Sequence, residues 1–428
     1  MTPQSNFMVA VPVLPEREPE LRALLATMNL RPGVVDPENA LFPFGHFDAL
    51  HVARFVILRD ETAADLPEGD SLRQAPAWLA FLGDCDGDSD ALLTRFAAIA
   101  GDGLRRIFSH CAEYAGDADL PGWLRAHSVS PAACYVNWIG RTVPQIREEA
   151  ALHQALKACL ARESGFPAGE APLTVRDRLI AYQRENGPAL TPLSPTPPKW
   201  RRRELLNRFG VPLALVLLAP LVLLYAPLFF WLLRRRETTD PVITPPPTPA
   251  HVDALSRIED HDVTNQFSAF GSLKPGWFRL STIRFIFWVL EFSTRQIYTR
   301  GKLARVGTIH FARWVFMDGR RRVFFASNYD GSLDSYMDDF INKAAFGLNL
   351  VFSNGMGYPR TRFLLSGGAA IEQQFKNWLR RRQLPTEVWY KAYPGLTAAD
   401  LARNTMIREG LDAAAMTEDA ARRWLALI

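Results

Sequence analysis

Cysteine is scarce in this chain. There are four in 428 residues, Cys85, Cys111, Cys134 and Cys159, all in the first half. None stands in a C-x-x-C pair or at a Cys/His metal spacing, which argues against a zinc site or a disulfide framework and for reduced, structural thiols in a cytoplasmic compartment. Excess charge is lacking too: the formal charge is +4. The arginines fall in short clusters rather than along one stripe, so nucleic acid is not an expected partner. Met1 to Leu14 show no basic start followed by an apolar run, so no secretory signal is expected. Apolar residues, by contrast, make up 48% of the chain, ample for two or three domains and somewhat high for a wholly soluble protein.

Much of that excess lies in one run. From Gly210 to Leu233 the sequence reads GVPLALVLLAPLVLLYAPLFFWLL without a charge, long enough to span a bilayer as a helix. Lys199, Arg201, Arg202, Arg203 and Arg208 flank it on one side and Arg234, Arg235 and Arg236 on the other. Cytoplasmic flanks are the basic ones, and here both qualify. Pro220 sits mid-segment, where the missing N–H favours a kink, so a shallow hairpin competes with a simple span. Proline-rich stretches, Pro188 to Pro198 and Pro241 to Pro249, bracket the run as extended spacers.

The sequence on either side matches itself. His51-Val-Ala-Arg-Phe-Val56 answers His310-Phe-Ala-Arg-Trp-Val315, and Phe81 to Gly87 answers Phe325 to Gly331. Phe96, Gly103 and Phe108 continue in register with Phe340, Gly347 and Phe352, and Trp123 and Tyr135 answer Trp378 and Tyr390. Matching blocks in one order point to a tandem repeat. Apolar periodicity predicts strands at 7–14, 49–58, 77–83 and 132–139 with helices at 18–29 and 89–104, then strands at 263–273, 306–317, 322–328 and 386–393 with helices at 278–298 and 333–350. The order β-α-β-β-α-β, twice over, is the ferredoxin-like one. The expected fold class is therefore α+β: two tandem ferredoxin-like repeats forming a pseudo-dimeric α+β barrel, with a membrane-inserted segment between them. The expected divisions are a first repeat over 1–185, a linker over 186–206, the membrane segment over 207–236, a second linker over 237–252 and a second repeat over 253–428.

A tandem ferredoxin-like pair with Asp-Gly after the third strand resembles the dimeric α+β-barrel superfamily, closest in outline to the DyP-type peroxidases. Those enzymes carry a G-x-x-D-G motif whose Asp assists peroxide cleavage over haem. Gly83-Asp-Cys-Asp86-Gly87 fits the motif; Ser327-Asn-Tyr-Asp330-Gly331 has Ser at its head. The resemblance implies Asp330, Asp86 and Arg313 as catalytic residues. It also implies haem as the cofactor, with His310 as the iron ligand and His51 and Trp314 lining its site. On an ideal strand His310, Ala312 and Trp314 share one face, and the small Ala leaves room for a planar ligand. A bland reading stands beside each. Asp-Gly at a strand end caps a helix and turns the chain, buried histidines are commonly hydrogen-bonded core residues, and the run Asp84, Asp86, Asp88, Asp90 reads as a solvated turn rather than a calcium loop.

The helix predicted at 278–298 is rich in aromatics. Trp277, Phe285 and Trp288, with Arg284 and Arg295 interspersed, fit an interfacial helix whose arginines reach lipid phosphates. Arg380, Arg381 and Arg382 would add attraction to anionic lipid. Three functions follow: a haem-dependent, peroxidase-like oxidoreductase acting on a lipophilic substrate; a non-catalytic protein binding a lipid or other hydrophobic small molecule; and a scaffold docking a soluble partner on the bilayer. All place the chain at a membrane of the bacterial inner type, with its soluble parts on the cytoplasmic side, and all allow an oligomer.

Overall fold

A computed structural model describes residues 1–114, 116, 119–162, 170–299, 303 and 306–428. It is a mixed α+β protein with antiparallel sheets and one long apolar helix. Strands form where the apolar and β-branched runs predict them: β1 (Gln4–Pro12), β2 (Leu50–Leu58), β3 (Trp78–Asp86), β4 (Ala133–Val136), β5 (Thr264–Ser272), β6 (Ile309–Met317), β7 (Arg322–Asp330) and β8 (Thr386–Lys391). The helices that matter below are α1 (Glu18–Ala26), α2 (Ser89–Phe108), α3 (Val143–Arg162), α4 (Pro198–Thr239), α5 (Trp277–Gln296), α6 (Leu333–Phe352) and α7 (Ala398–Asp412).

The strands make two four-stranded sheets whose last members are exchanged. Sheet 1 runs β1-β3-β2-β8 and sheet 2 runs β4-β6-β7-β5. The edge strand β4, from the first half of the chain, pairs with β6 (Tyr135 opposite Ala312), and β8, from the second half, pairs with β2 (Tyr390 opposite Ala53). The bonds just beyond the strands are reciprocal as well: Asn137 N–H donates to the His310 carbonyl and Ala392 N–H to that of His51, each at 2.9 Å. Each sheet therefore includes a strand from the other side of the divisions expected at 185 and 253.

The two sheets pack face to face. Met8, Ala10, Val56, Ala80 and Leu82 of sheet 1 meet Phe270, Val315, Met317, Phe324 and Ala326 of sheet 2. This explains why β2 is buried along its whole length: one face meets the other sheet, and the opposite face meets helices. Across this layer two arginines are exchanged. Arg54 donates to the Phe267 carbonyl (2.8 Å), Ser268 Oγ (3.0 Å), the Ser327 carbonyl (3.0 Å) and Asn328. Arg313 donates to the Phe7 carbonyl (2.8 Å) and the Gly83 carbonyl (2.9 Å) and pairs with Asp84 at 2.6 Å. Burial, and then the Arg313 charge, push Arg54 down to about 9, still protonated at neutral pH.

Helices α1 and α2 cover sheet 1 through Phe7, Phe55, Phe81 and Phe96; α5 and α6 cover sheet 2 through Phe267, Phe287, Trp314 and Phe325. Both α2 and α6 break helical geometry at matching places, Ala100 (φ −115°, ψ 20°) and Ala344 (φ −142°, ψ 19°).

Helix α4 is one continuous element of 42 residues that passes through Pro212, Pro220 and Pro227. Of the two arrangements left open by sequence, the hairpin does not form: three prolines spaced about two turns apart leave each intervening turn intact, and Val211 to Leu233 hold no glycine or polar pair to supply a reversal. Among the described residues it is the one helix long and apolar enough to cross a membrane, with a mean hydropathy of 2.5 over its most apolar window. The flanking proline-rich stretches carry no regular structure over 188–197 and 241–248.

Candidate functional site

Two places in the molecule gather the residues singled out by sequence. The first lies where the exchanged strands end. His51 and His310 are both buried, and each sits at a β-bulge. On β2 the register shifts between Leu50 and Val52, and on β6 between Ile309 and Phe311. The bulge re-aims the side chain. Ile309, not His310, then joins Ala312 and Trp314 beneath the helices, so the expected alignment of His310 with Ala312 and Trp314 on one face is not observed. Strict alternation holds only while the ladder is regular.

Each histidine meets the aspartate that ends its neighbouring strand. His51 Nε2 lies 2.9 Å from Asp86 Oδ1, and His310 Nε2 lies 2.6 Å from Asp330 Oδ1. The other carboxylate oxygen caps a helix far along the chain: Asp86 Oδ2 accepts from Val143 N at 2.8 Å, and Asp330 Oδ2 from Ala398 N at 2.7 Å. These are the first residues of α3 and α7, whose free N–H groups favour a carboxylate. The helices directly after the motifs are capped instead by Asp88 and Ser332. Burial alone would raise the Asp330 carboxyl, but bonds from His310, Ala398 and Thr264 hold it below the ordinary carboxylate range.

Each position of the motif read as G-x-x-D-G thus has a packing role. A Cβ at Gly83 would lie 2.4 Å from the Val52 carbonyl oxygen. Asp86 links strand, histidine and helix. Gly87 (φ 74°) and Gly331 (φ 84°) make the following turn, where a side chain would be strained. Of the acids in the run, Asp84 pairs with Arg313, Asp86 with His51, and Asp88 caps a helix. Arg313 lies in the layer between sheets.

Haem does not fit the residues expected to hold it. The Nε2 of His310 is engaged by Asp330, and both ring nitrogens of His51 are engaged, with Tyr393 Oη 3.2 Å from Nδ1. The space between the histidines, walled by Trp138, Ile146, Phe311, Tyr393 and Leu401, measures about 10 Å³, room for one water at most. Sequence reasoning missed Tyr393, Thr264 and Lys391 here. Lys391 Nζ donates to Thr264 Oγ1 (2.6 Å), which donates to Asp330 Oδ1 (2.7 Å). No local pattern marks residues brought together by strand exchange.

The second place is a cavity of about 630 Å³ between α5, α6 and the outer face of sheet 2, within the range of small-molecule sites. Its floor is Ile309, Ala312, Trp314 and Phe325, and its walls include Val289 and Phe340. Trp314 is buried, and its indole N–H has no acceptor among the described residues. The comparable layer under sheet 1 is filled by Phe42, Phe44 and Phe47, with ring centroids of Phe42 and Phe47 at 5.0 and 4.7 Å from Phe96. The matching glycines show the same contrast. A Cβ at Gly103 would lie 1.8 Å from the Leu41 carbonyl oxygen, whereas one at Gly347, on the cavity wall, would meet nothing within 4 Å among the described residues. Trp314 thus sits at a ligand-sized space, but away from His310.

Of the residues expected at a membrane interface, Trp277 (74% exposed), Phe285 (49%) and Trp288 (36%) share the outer side of α5, and Arg284 is exposed beside them. Arg295 is not free for lipid: it pairs with Glu291 and, at 3.6 Å, with Glu204 of α4. Nor are Arg380 and Arg381, each held by a carboxylate (Glu259 and Asp65), or Arg382, which is buried against main-chain carbonyls. Burial raises the thiols of Cys85, Cys111 and Cys134 to about 12, which leaves them unreactive near neutral pH.

No protein-family model matches the chain, and neither curated proteins nor solved structures give a match.

Proposed function

We propose that this chain is a membrane-attached protein that binds a hydrophobic small molecule or a lipid chain in the cavity between α5 and α6. Its fold is read as two ferredoxin-like units fused in one chain and closed on each other as a pseudo-dimeric α+β barrel. Matching sheet orders, exchanged edge strands and reciprocal Arg54 and Arg313 bonds support that reading. A duplicated origin explains why His51/Asp86 and His310/Asp330 recur without a catalytic role: inherited packing accounts for both at once.

The observation that carries the functional reading is the asymmetry of the two halves. What one half fills with phenylalanine, the other leaves as 630 Å³ of apolar space, bordered by the helix that bears the exposed Trp277, Phe285 and Trp288 and packs against α4. A large pocket with few polar atoms selects apolar ligands, and the Trp314 N–H, without an acceptor among the described residues, supplies one donor for a carbonyl or ether oxygen. Attachment to a membrane supplies such ligands at high local concentration.

The test is binding of a fluorescent fatty-acyl probe to the delipidated full chain, with Gly347→Leu as the comparison. Leucine at that position enters open space and replaces a helical glycine, so folding is kept or improved by about 1 kcal/mol, while the cavity is obstructed. A loss of tenfold or more in probe affinity with an unchanged circular dichroism spectrum supports the reading. Equal affinity in both proteins refutes it.

A further inference from the structure

We infer that α4 does not cross the bilayer but lies flat in one leaflet, alongside α5, with both of its basic ends on the cytoplasmic side. This rests on reading α4 as a membrane helix and adds how that helix is held.

Both ends of α4 are tied to opposite ends of α5. Near its start, Glu204 pairs with Arg295 (3.6 Å) and accepts from Gln296. Near its finish, Phe229 packs on Phe278 at 5.4 Å, and Leu233 is buried with Phe278 and Leu364. Glu237 accepts from Thr361 Oγ1 (2.7 Å), Phe363 N (2.8 Å) and Leu364 N (2.9 Å). Asp240 then holds the chain by Arg279 and by Lys274 at 3.3 Å. Between these anchors Asn207, Val211, Ala214, Leu215, Ala219 and Ala226 are at least partly covered, and at 100° per residue they fall within an arc of about 140° of the helix. The two helices therefore run antiparallel, side by side.

Helix α5 cannot follow α4 through hydrocarbon. Its other face packs on sheet 2, where Phe287 meets Trp314 at 6.3 Å and Glu291 accepts from Cys134 N at 2.9 Å. A transmembrane α4 would drag the Arg279–Asp240 and Arg295–Glu291 pairs, and the sheet behind them, into lipid, at prohibitive cost. Lying in plane, α4 turns Leu213, Leu217, Leu221, Leu224, Leu228 and Trp231, between 50% and 81% exposed, into the acyl region. The exposed Arg201 to Arg203 at one end and Arg235 and Arg236 at the other then meet anionic headgroups at a single surface. Basic flanks at both ends, contradictory for a span, are what one cytoplasmic surface requires. Ile286 and Leu350, which line the cavity, also pack on the Leu233 cluster, so the ligand space adjoins the leaflet.

The test uses the full chain in closed vesicles of equal parts phosphatidylcholine and phosphatidylglycerol. Leu213→Cys, Leu221→Cys and Leu228→Cys, each carrying a fluorophore, are read against lipids quenched at graded depths. One shared, shallow depth supports the inference; depths that progress from one headgroup level to the other overturn it. Arg202→Cys and Thr238→Cys, probed with an impermeant maleimide, are both labelled from outside if α4 lies flat, whereas labelling of only one overturns it. Failure of the wild-type chain to bind these vesicles sinks the membrane reading itself, a result distinct from either labelling pattern.

Discussion

Replacing Arg313 by methionine separates a packing role from a catalytic one. The methionine keeps most of the apolar stem but removes the guanidinium, which donates to the Phe7 and Gly83 carbonyls and pairs with Asp84 at 2.6 Å. Arg313 and Asp84 are 3% and 6% exposed, so water does not replace the lost partner. Each lost hydrogen bond costs about 1 kcal/mol, and stranding a buried carboxylate costs about 3–5 kcal/mol. Arg313→Met should therefore destabilise by about 5–7 kcal/mol, most of it from Asp84. Adding Asp84→Asn neutralises the stranded acid and should return about 2–3 kcal/mol. Arg54→Met is the internal control. Arg54 donates to two main-chain carbonyls, Ser268 and Asn328, leaves no carboxylate stranded, and should cost less, about 4 kcal/mol for four bonds. Denaturant midpoints of the full chain, in one detergent at neutral pH, measure all four proteins. An Arg313→Met midpoint within about 1 kcal/mol of wild type, or an Asp84→Asn change that deepens the loss, would refute this account of the inter-sheet layer.

Asp330→Ala removes the acceptor for His310, Thr264 and Ala398 N–H and should cost about 3–5 kcal/mol by thermal or chemical melting. Because the Asp330 carboxyl is held below its ordinary range in the fold, its contribution is complete above the unfolded value near pH 4 and lost as pH falls further. The wild type should therefore show a steeper acid limb than Asp330→Asn, and superimposable limbs would count against the network. Residues 1–185 and 253–428 expressed separately should each fail to give a protease-resistant core, and expressed together should co-purify; a stable fragment on its own would contradict the exchange of β4 and β8. Arg235→Gln with Arg236→Gln should weaken partition into anionic vesicles about 25-fold, at roughly 1 kcal/mol per arginine, and an unchanged sedimentation profile would remove headgroup attraction from the account.

The strands and principal helices lie where apolar periodicity puts them because burial of β2 or β6 on two faces leaves a run of apolar and β-branched residues in any context. The same is true of α4, whose uninterrupted apolar stretch needs no partner to be recognised, and of the proline-rich connections beside it. Local chemistry determined those features. It did not determine pairing. Edge strands β4 and β8 are exchanged because the long-range bonds Asn137–His310 and Ala392–His51 join residues far apart in the chain, and no local pattern encodes a partner at that distance. The bulges that turn His51 and His310 away from their expected face depend on ladder register, and the aspartates that looked poised for chemistry cap helices remote in sequence. Nor does α4 carry its own orientation: by length and composition alone it is apolar enough to cross a bilayer. Only the tethers from Glu204, Glu237 and Asp240 to α5 and its surroundings decide that it lies along the body. The cavity, too, belongs to tertiary structure. Gly103 and Gly347 are equivalent in sequence, yet a loop closes over one and leaves open space at the other.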